Sequence, residues 1–238
     1  MGQPHQYIKA NEEGFKSSIL DALLSMGYYR MQHYMFTCNE TPTSDDGFTI
    51  PVFWLRTLVQ PCKPNKSALN IVKKCAGFQV ETLPAMVDDE IEALYAQYSN
   101  HKPFSTSETC ASYLQSAEIP DPFNSMMVQV RDKGKLIAVG YFDKGLQSIA
   151  GIMNIYHPAY AAYSLGKFLI MQKLQYAIEQ HMQFYYTGYI STGSTRFDYK
   201  TFPDSQAVQV YLPTENKWMP YHLLGKEYLQ EYYIRQLL

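Results

Sequence analysis

A chain of 238 residues can hold one large domain or two small ones around a sizeable core, and 46% apolar against 18% charged residues excludes a disordered composition. The net charge of −2 excludes nucleic-acid binding driven by bulk charge, so any such binding has to come from local clusters. No apolar run is long enough to cross a bilayer, and an N-terminus carrying Lys9, Glu12 and Glu13 lacks the pattern of a signal peptide, so a soluble cytoplasmic protein is expected.

In chain order, residues 1–16 read as a loose lead-in. Residues 15–26 then place Phe15, Ile19, Ala22 and Leu23 at helical spacing, with Gly27 as a stop. The aromatic run 28–36 favours a strand, residues 39–47 a polar turn, and residues 48–58 a strand with Pro51 near its start or on an edge. Residues 63–74 read as a linker bearing Lys63, Lys66, Lys73 and Lys74. After it come a short strand at 78–82, a helix over 88–98 whose first turn suits Asp88 and Asp89, and a second helix over 107–116. The loop between them holds His101, Lys102, Pro103 and Phe104, in which a lone surface histidine reads as idle.

Residues 126–131 and the strand from Leu136 to Phe142 flank Asp132-Lys133-Gly134, a hairpin signal, and Lys144-Gly145 leads into a third strand over 149–156. His157-Pro158 ends that strand. A helix follows Ser164-Leu165-Gly166, with Ile170, Met171, Leu174, Ala177 and Ile178 on one face and Gln172, Lys173, Glu179 and Gln180 on the other. Further strands are expected at 184–187 and 208–212, and a closing helix over 225–238. Strand, strand, helix, strand is the core order of the GCN5-related acetyltransferase (GNAT) type of fold. Four scattered cysteines, Cys38, Cys62, Cys75 and Cys110, read as buried reduced thiols without the close pairs of a metal site, so no metal is expected.

Leu136-Ile-Ala-Val-Gly140, Asp143, Tyr156-His-Pro-Ala-Tyr160, Ser164-Leu-Gly166, Tyr185-Tyr-Thr-Gly-Tyr-Ile190 and Tyr199-Lys200 resemble, in order and spacing, the C-terminal domain of arginyl-tRNA–protein transferases and their bacterial leucyl-transferring relatives. Leu24, Gly27, Tyr28 and Arg30 match the N-terminal domain of that family more weakly. The resemblance implies an α+β fold: a GNAT-like C-terminal domain over 77–238 with a mixed, mainly antiparallel sheet, and a smaller N-terminal α+β domain with its basic linker over 1–76. It also implies transfer of arginine or leucine from aminoacyl-tRNA to the N-terminal α-amine of a protein with an acidic N-terminus, marking that protein for degradation. A monomer without cofactor, metal or membrane association is expected.

Such a transfer starts from an activated ester, so the protein must hold two substrates together, keep the amine neutral and stabilise the oxyanion. Asp143 at a strand end is the candidate for handling the amine, against the plainer reading of a hairpin-turn aspartate. Lys200 could attract an acidic acceptor side chain or a phosphate. Tyr156, Tyr186 and Tyr189 could flank the terminal adenosine by stacking, or simply pack the core. Ser164, Gly166, Arg196 and Tyr199 complete the substrate set. The resemblance implies that the basic segment at Lys63, Lys66, Lys73 and Lys74 contacts the tRNA backbone, against the plainer reading of a solvated linker, and Arg131, Lys133 and Lys135 form a second basic cluster.

Two departures stand out: the family's N-terminal cysteine cluster is missing, and Ser194 replaces the cysteine usual before the final Tyr-Lys pair. They leave open a non-catalytic binding relative. An acetyl-CoA-dependent N-acetyltransferase is the other competing reading. Its phosphate-cradling turn would fall at Tyr163, Gly166 and Phe168, where only the glycine fits and Phe168 would crowd the backbone.

Overall fold

A computed structural model describes residues 6–10, 14–43, 48–102, 107–114 and 121–237. The chain runs β1 (Gln6–Lys9), α1 (Ser18–Ser25), β2 (Tyr29–Met31), β3 (Tyr34–Thr37), β4 (Glu40–Pro42), β5 (Thr49–Leu58) and α2 (Lys66–Lys74). It continues through β6 (Gln79–Pro84), α3 (Asp89–Asn100), the short α4 (Ala111–Leu114), β7 (Ser125–Asp132), β8 (Lys135–Lys144) and β9 (Ser148–Tyr156). It ends with α5 (Leu165–Glu179), β10 (Phe184–Ser191), β11 (Val208–Leu212), β12 (Lys217–Pro220) and α6 (Tyr221–Arg235). Among the described residues no helix is long and apolar enough to cross a membrane.

The fold is α+β with a nine-stranded, mainly antiparallel sheet in the order β12-β11-β5-β10-β9-β8-β7-β6, with β4 also on β5; β1-β3-β2 form a separate sheet. The expected hairpins are present. Between β7 and β8, Lys133 and Gly134 both take positive φ, 49° and 85°, the backbone that matches a tight turn to strand twist. The β8–β9 turn is braced from α1, where Asp21 accepts from the N–H groups of Leu146 and Gln147 at 2.9 and 2.8 Å.

The large sheet is covered on both faces. In β8, alternation sends Ala138 and Phe142 toward α5, where Leu169, Leu174 and Ala177 pack, and sends Val139 and Tyr141 toward α3, where Ile91, Leu94 and Tyr95 pack. Each large apolar side chain so buried contributes about 1.5–3 kcal/mol by leaving water.

Several expectations need correction. The lead-in contains β1, paired antiparallel with β3, and the turn expected at 39–47 contains β4; residues 44–47 lie outside the described set. The helix expected over 107–116 is described only as α4, with 115–120 outside that set. The basic linker is largely a helix: Asn65 caps α2 by accepting from Ala68 N at 3.0 Å, Ala68 is buried, and Ile71 and Val72 pack on the α5 core. The division expected at residue 76 cuts a continuous sheet, because β5 pairs with β10 on one side and β11 on the other.

Candidate functional site

Among the described strands the sheet opens where its one parallel pair ends. β10 pairs with β9 only from Phe184↔Ser148 to Tyr186↔Ala150, then leans onto β5 as far as Ser191↔Val52, while β9 stays with β8 as far as Tyr156↔Ala138. Two bulges drive the strands apart, one opposite Tyr141/Phe142 in β8 and one between Tyr186 and Gly188 in β10, since an extra residue bends and twists its strand. The Tyr29 hydroxyl from β2 sits in the fork, 2.5 Å from Gly151 O on β9 and 3.0 Å from Tyr186 O on β10. At the β8–β9 bulge the Lys173 ammonium donates to Tyr141 O (2.7 Å), Met153 O (3.3 Å) and Asn154 Oδ1 (2.8 Å), which uses all three of its donors. Lys173, expected on the side of α5 opposite its apolar residues, is only 1% exposed, and burial pulls its pKa down to about 7.

Tyr156 ends β9 with its ring against the first turn of α5: a Cβ on Gly166 would come within 3.1 Å of Tyr156 Cε1. Lys102 donates to the Tyr156 hydroxyl at 2.9 Å and stands over the Tyr98 and Tyr156 rings, 4.3 and 4.8 Å from their centroids. Lys102 follows His101 in the loop after α3, and nothing in the sequence pairs it with a strand end 54 residues away.

Tyr199 and Lys200 follow β10 through a loop. The Tyr199 ring is 47% exposed, and its hydroxyl is within electrostatic range of Tyr156, Tyr189 and Arg196. The half-buried Lys200 ammonium is held 4.5 Å from the centroid of Tyr189 and 5.0 Å from that of Phe197, and it makes no ion pair with a described carboxylate. Gly188 is required beneath it: at φ +100° a Cβ would sit 2.5 Å from Lys200 Nζ. Burial, reinforced by the Arg196 charge, draws the Lys200 pKa down to about 8. The structure thus brings Tyr156, Tyr189, Arg196, Tyr199 and Lys200 to one side of the molecule.

Other expected site residues lie elsewhere. Asp143 has no exposed surface: period-2 alternation turns it away from the α5 face, Arg30 Nη1 donates to its Oδ1 at 2.8 Å, and Ser125 Oγ lies 2.8 Å from the same oxygen. Burial raises its pKa, which Arg30 opposes first and Ser125 next. A carboxylate so enclosed presents no surface to a substrate amine; it anchors Arg30. Tyr186 is 2% exposed, packed against Phe184 and Trp218 with Arg56 3.5 Å from its hydroxyl, and does not line the fork. Phe168 is also buried, in the α5 core, so it does not crowd the helix start; the ring that stands there is Tyr156.

Ser164 has φ +54° and opens α5 without a side-chain cap. Lys66, Lys73 and Lys74 ride on α2, and Lys63 precedes it with its N–H on Asp204 Oδ2 at 2.9 Å. The four cysteines are free thiols; burial pushes Cys38, Cys62 and Cys110 up to about 12 and Cys75 to about 11, which leaves them protonated and unreactive near neutral pH.

Residues 90–209 match the family model described as the C terminus of arginine-tRNA-protein transferase. An aspartate/glutamate leucyltransferase of Leptospira interrogans is 24% identical over 170 residues, 69% of this chain and 66% of that one. A Xanthomonas oryzae protein of the same name is 27% identical over 154 residues, 61% of each chain. Arginyl-tRNA--protein transferase 1 of Arabidopsis thaliana is 29% identical over 109 residues, 44% of this chain but 17% of that one. The chain therefore spans just under two thirds of the bacterial relatives. Among solved structures, the L-PGS of Bacillus licheniformis has a TM-score of 0.45 at 11% identity, covering 73% of this chain and 50% of that one. A GCN5-related N-acetyltransferase from Kribbella flavida has 0.36 at 17%, covering 76% and 56%.

Proposed function

Because the chain belongs to the arginine-tRNA-protein transferase family, we propose that it moves arginine or leucine from an aminoacyl-tRNA to the N-terminal α-amine of an acceptor protein. The observation that carries this reading is the half-buried Lys200 ammonium, without a described carboxylate partner, beside Tyr199 and Tyr189 at the open side of the fork. With a pKa drawn down to about 8, Lys200 has an appreciable neutral fraction near physiological pH and can take a proton from the incoming ammonium. The freed amine nitrogen then attacks the ester carbonyl. A C–N bond forms and the C–O bond to the ribose breaks; Lys200 gives the proton it took to the departing ribose oxygen, and the second proton shed by the attacking nitrogen leaves to solvent.

Tyr156 and Tyr199 supply faces for the terminal adenosine, and Tyr189 holds Lys200. Arg196 adds positive potential for an acidic acceptor side chain, the preference named in its bacterial relatives. We assign the reacting groups to the region beyond residue 77 and expect a cytoplasmic monomer.

The test mixes purified protein with tRNAs charged with labelled arginine or leucine and with peptides beginning Asp, Glu or Ala. Label should reach the Asp and Glu peptides, at a rate that rises with pH through about 8, since the neutral amine is the accepting form. Lys200→Met should cut turnover by about 10²-fold or more. Absence of label on every peptide would leave the binding-relative reading, and label from acetyl-CoA the acetyltransferase one.

A further inference from the structure

We infer that Lys173 is a positioning residue for the transfer site: its ammonium clamps the β8–β9 bulge and so fixes the direction in which the outer half of β9 leaves β10. The inference rests on the transfer reading above for what the fork is used for, and on geometry alone for what holds the fork.

An antiparallel pair satisfies its carbonyls by exchanging N–H groups across the strands, and an extra residue on one side breaks that exchange locally. Between β8 and β9 the register passes from Tyr141↔Met153 to Phe142↔Gly151, which leaves Ile152 without a partner across the ladder. Tyr141 O on one strand and Met153 O on the other both accept from Lys173 Nζ, at 2.7 and 3.3 Å. One ammonium from α5 therefore bridges the two strands where the ladder is interrupted. Lysine is seldom buried without an anionic partner, yet Lys173 belongs to none of the ion pairs among the described residues, and the nearby Asp143 is paired with Arg30. Its buried protons are spent on backbone and amide oxygens, not on a charge.

The same nitrogen reaches the wall of the fork. Its third proton goes to Asn154 Oδ1 at 2.8 Å, and Asn154 Nδ2 donates to Gly166 O at 3.3 Å in the first turn of α5. Across the ladder from Asn154 stands Gly140, where a Cβ would come within 2.8 Å of Asn154 Oδ1 and 2.9 Å of Lys173 Cε, so the clamp has no slack. Two residues beyond Asn154, Tyr156 ends β9 at the mouth. Past Ala150, β9 has β8 on one side and no pairing with β10 on the other, so its course is set at the bulge. A slip of one residue there would absorb Ile152 and turn each later side chain, Tyr156 among them, to the opposite face.

The experiment compares the full chain with its variants in two ways: amide hydrogen exchange without substrate, and steady-state transfer from charged tRNA to acidic peptides. Lys173→Met keeps an unbranched stem and removes the protons. Exchange over residues 151–156 should rise about tenfold or more while residues 208–212 of β11 exchange as in the parent. Turnover should fall by about 10²-fold, the loss that about 1 Å of misplacement carries, with KM for peptide and tRNA unchanged. Lys173→Gln returns two of the three protons and should recover much of the turnover. Gly140→Ala crowds Lys173 without removing it and should show the same split between kcat and KM.

Melting curves set the working temperature below every midpoint, and if Lys173→Met does not fold, Lys173→Gln and Gly140→Ala carry the test. Parental exchange over 151–156 in the variants would overturn the inference. So would parental kcat, or a raised KM with kcat intact. The two readings fail separately. Raised exchange over 151–156 in variants of a parent that labels no peptide leaves the clamp standing and the transfer reading fallen, whereas transfer by Lys173→Met and Gly140→Ala at the parental kcat does the reverse.

Discussion

Asp143 and Arg30 show how residue identity and residue role come apart. A carboxylate at a strand end is a reasonable amine-handling group, but the same spacing fits an aspartate that faces inward, and only the partner decides. Here the partner is Arg30, which is 113 positions away in the chain, is 7% exposed, and also donates to Leu114 O at 2.5 Å. That pair holds β2 against β8, and the neighbouring Tyr29 delivers its hydroxyl to the fork. Asp143→Asn should therefore destabilise the fold, by less than the about 3–5 kcal/mol of a buried charge left alone, because Arg30 keeps its pair with Asp121 at 3.3 Å. Arg30→Met/Asp143→Leu should recover much of it, a coupling that denaturant unfolding of both variants would reveal. A stable Asp143→Asn protein with no transfer activity would return the carboxylate to a catalytic role.

At the scale of elements, α6 holds the loop that carries Arg196, Tyr199 and Lys200. Lys226 pairs with Asp198 at 2.5 Å and donates to Ser194 O at 2.8 Å, while the Thr192 hydroxyl meets Gln230. Both partners of the ion pair are partly exposed, and such pairs are worth at most about 1 kcal/mol. Lys226→Met should thus barely move the unfolding midpoint yet lower turnover several-fold, because the loop loses its tether. Steady-state kinetics beside a melting curve would separate these effects. α2 itself was legible in part: Asn65 ahead of Ala68, Ile71 and Val72 has a cap and an apolar face, but nine residues dense in lysine read equally well as linker.

For the molecule as a whole, the buried lysines set a pH dependence of stability. The pKa of Lys173 falls from the ordinary lysine value near 10.4 to about 7 in the fold, so between those limits the unfolded chain binds more protons and stability rises with pH. One full proton of difference corresponds to about 1.4 kcal/mol per pH unit. Lys200, drawn to about 8, has the same sign, whereas the buried thiols act in the opposite sense above about pH 9, where they would ionise once exposed. Denaturant stability measured from pH 7 to 8.5 should therefore increase, and Lys173→Met should flatten the rise. A flat parental profile would mean that Lys173 keeps an ordinary pKa.

Local sequence determined the hairpins, α5 and the Tyr199-Lys200 pair, because turn chemistry, helical spacing and short motifs act over a few neighbouring residues. Only the tertiary structure decided that Lys173 is interior, that Asp143 belongs to Arg30 and not to a substrate, that β5 enters the sheet between β10 and β11, and that Lys102 meets Tyr156. Each of those depends on partners brought together from distant parts of the chain. Burial and the company of opposite charge are properties of that assembled neighbourhood, so they turn the same side chain into a reacting group, an anchor or a buried cation.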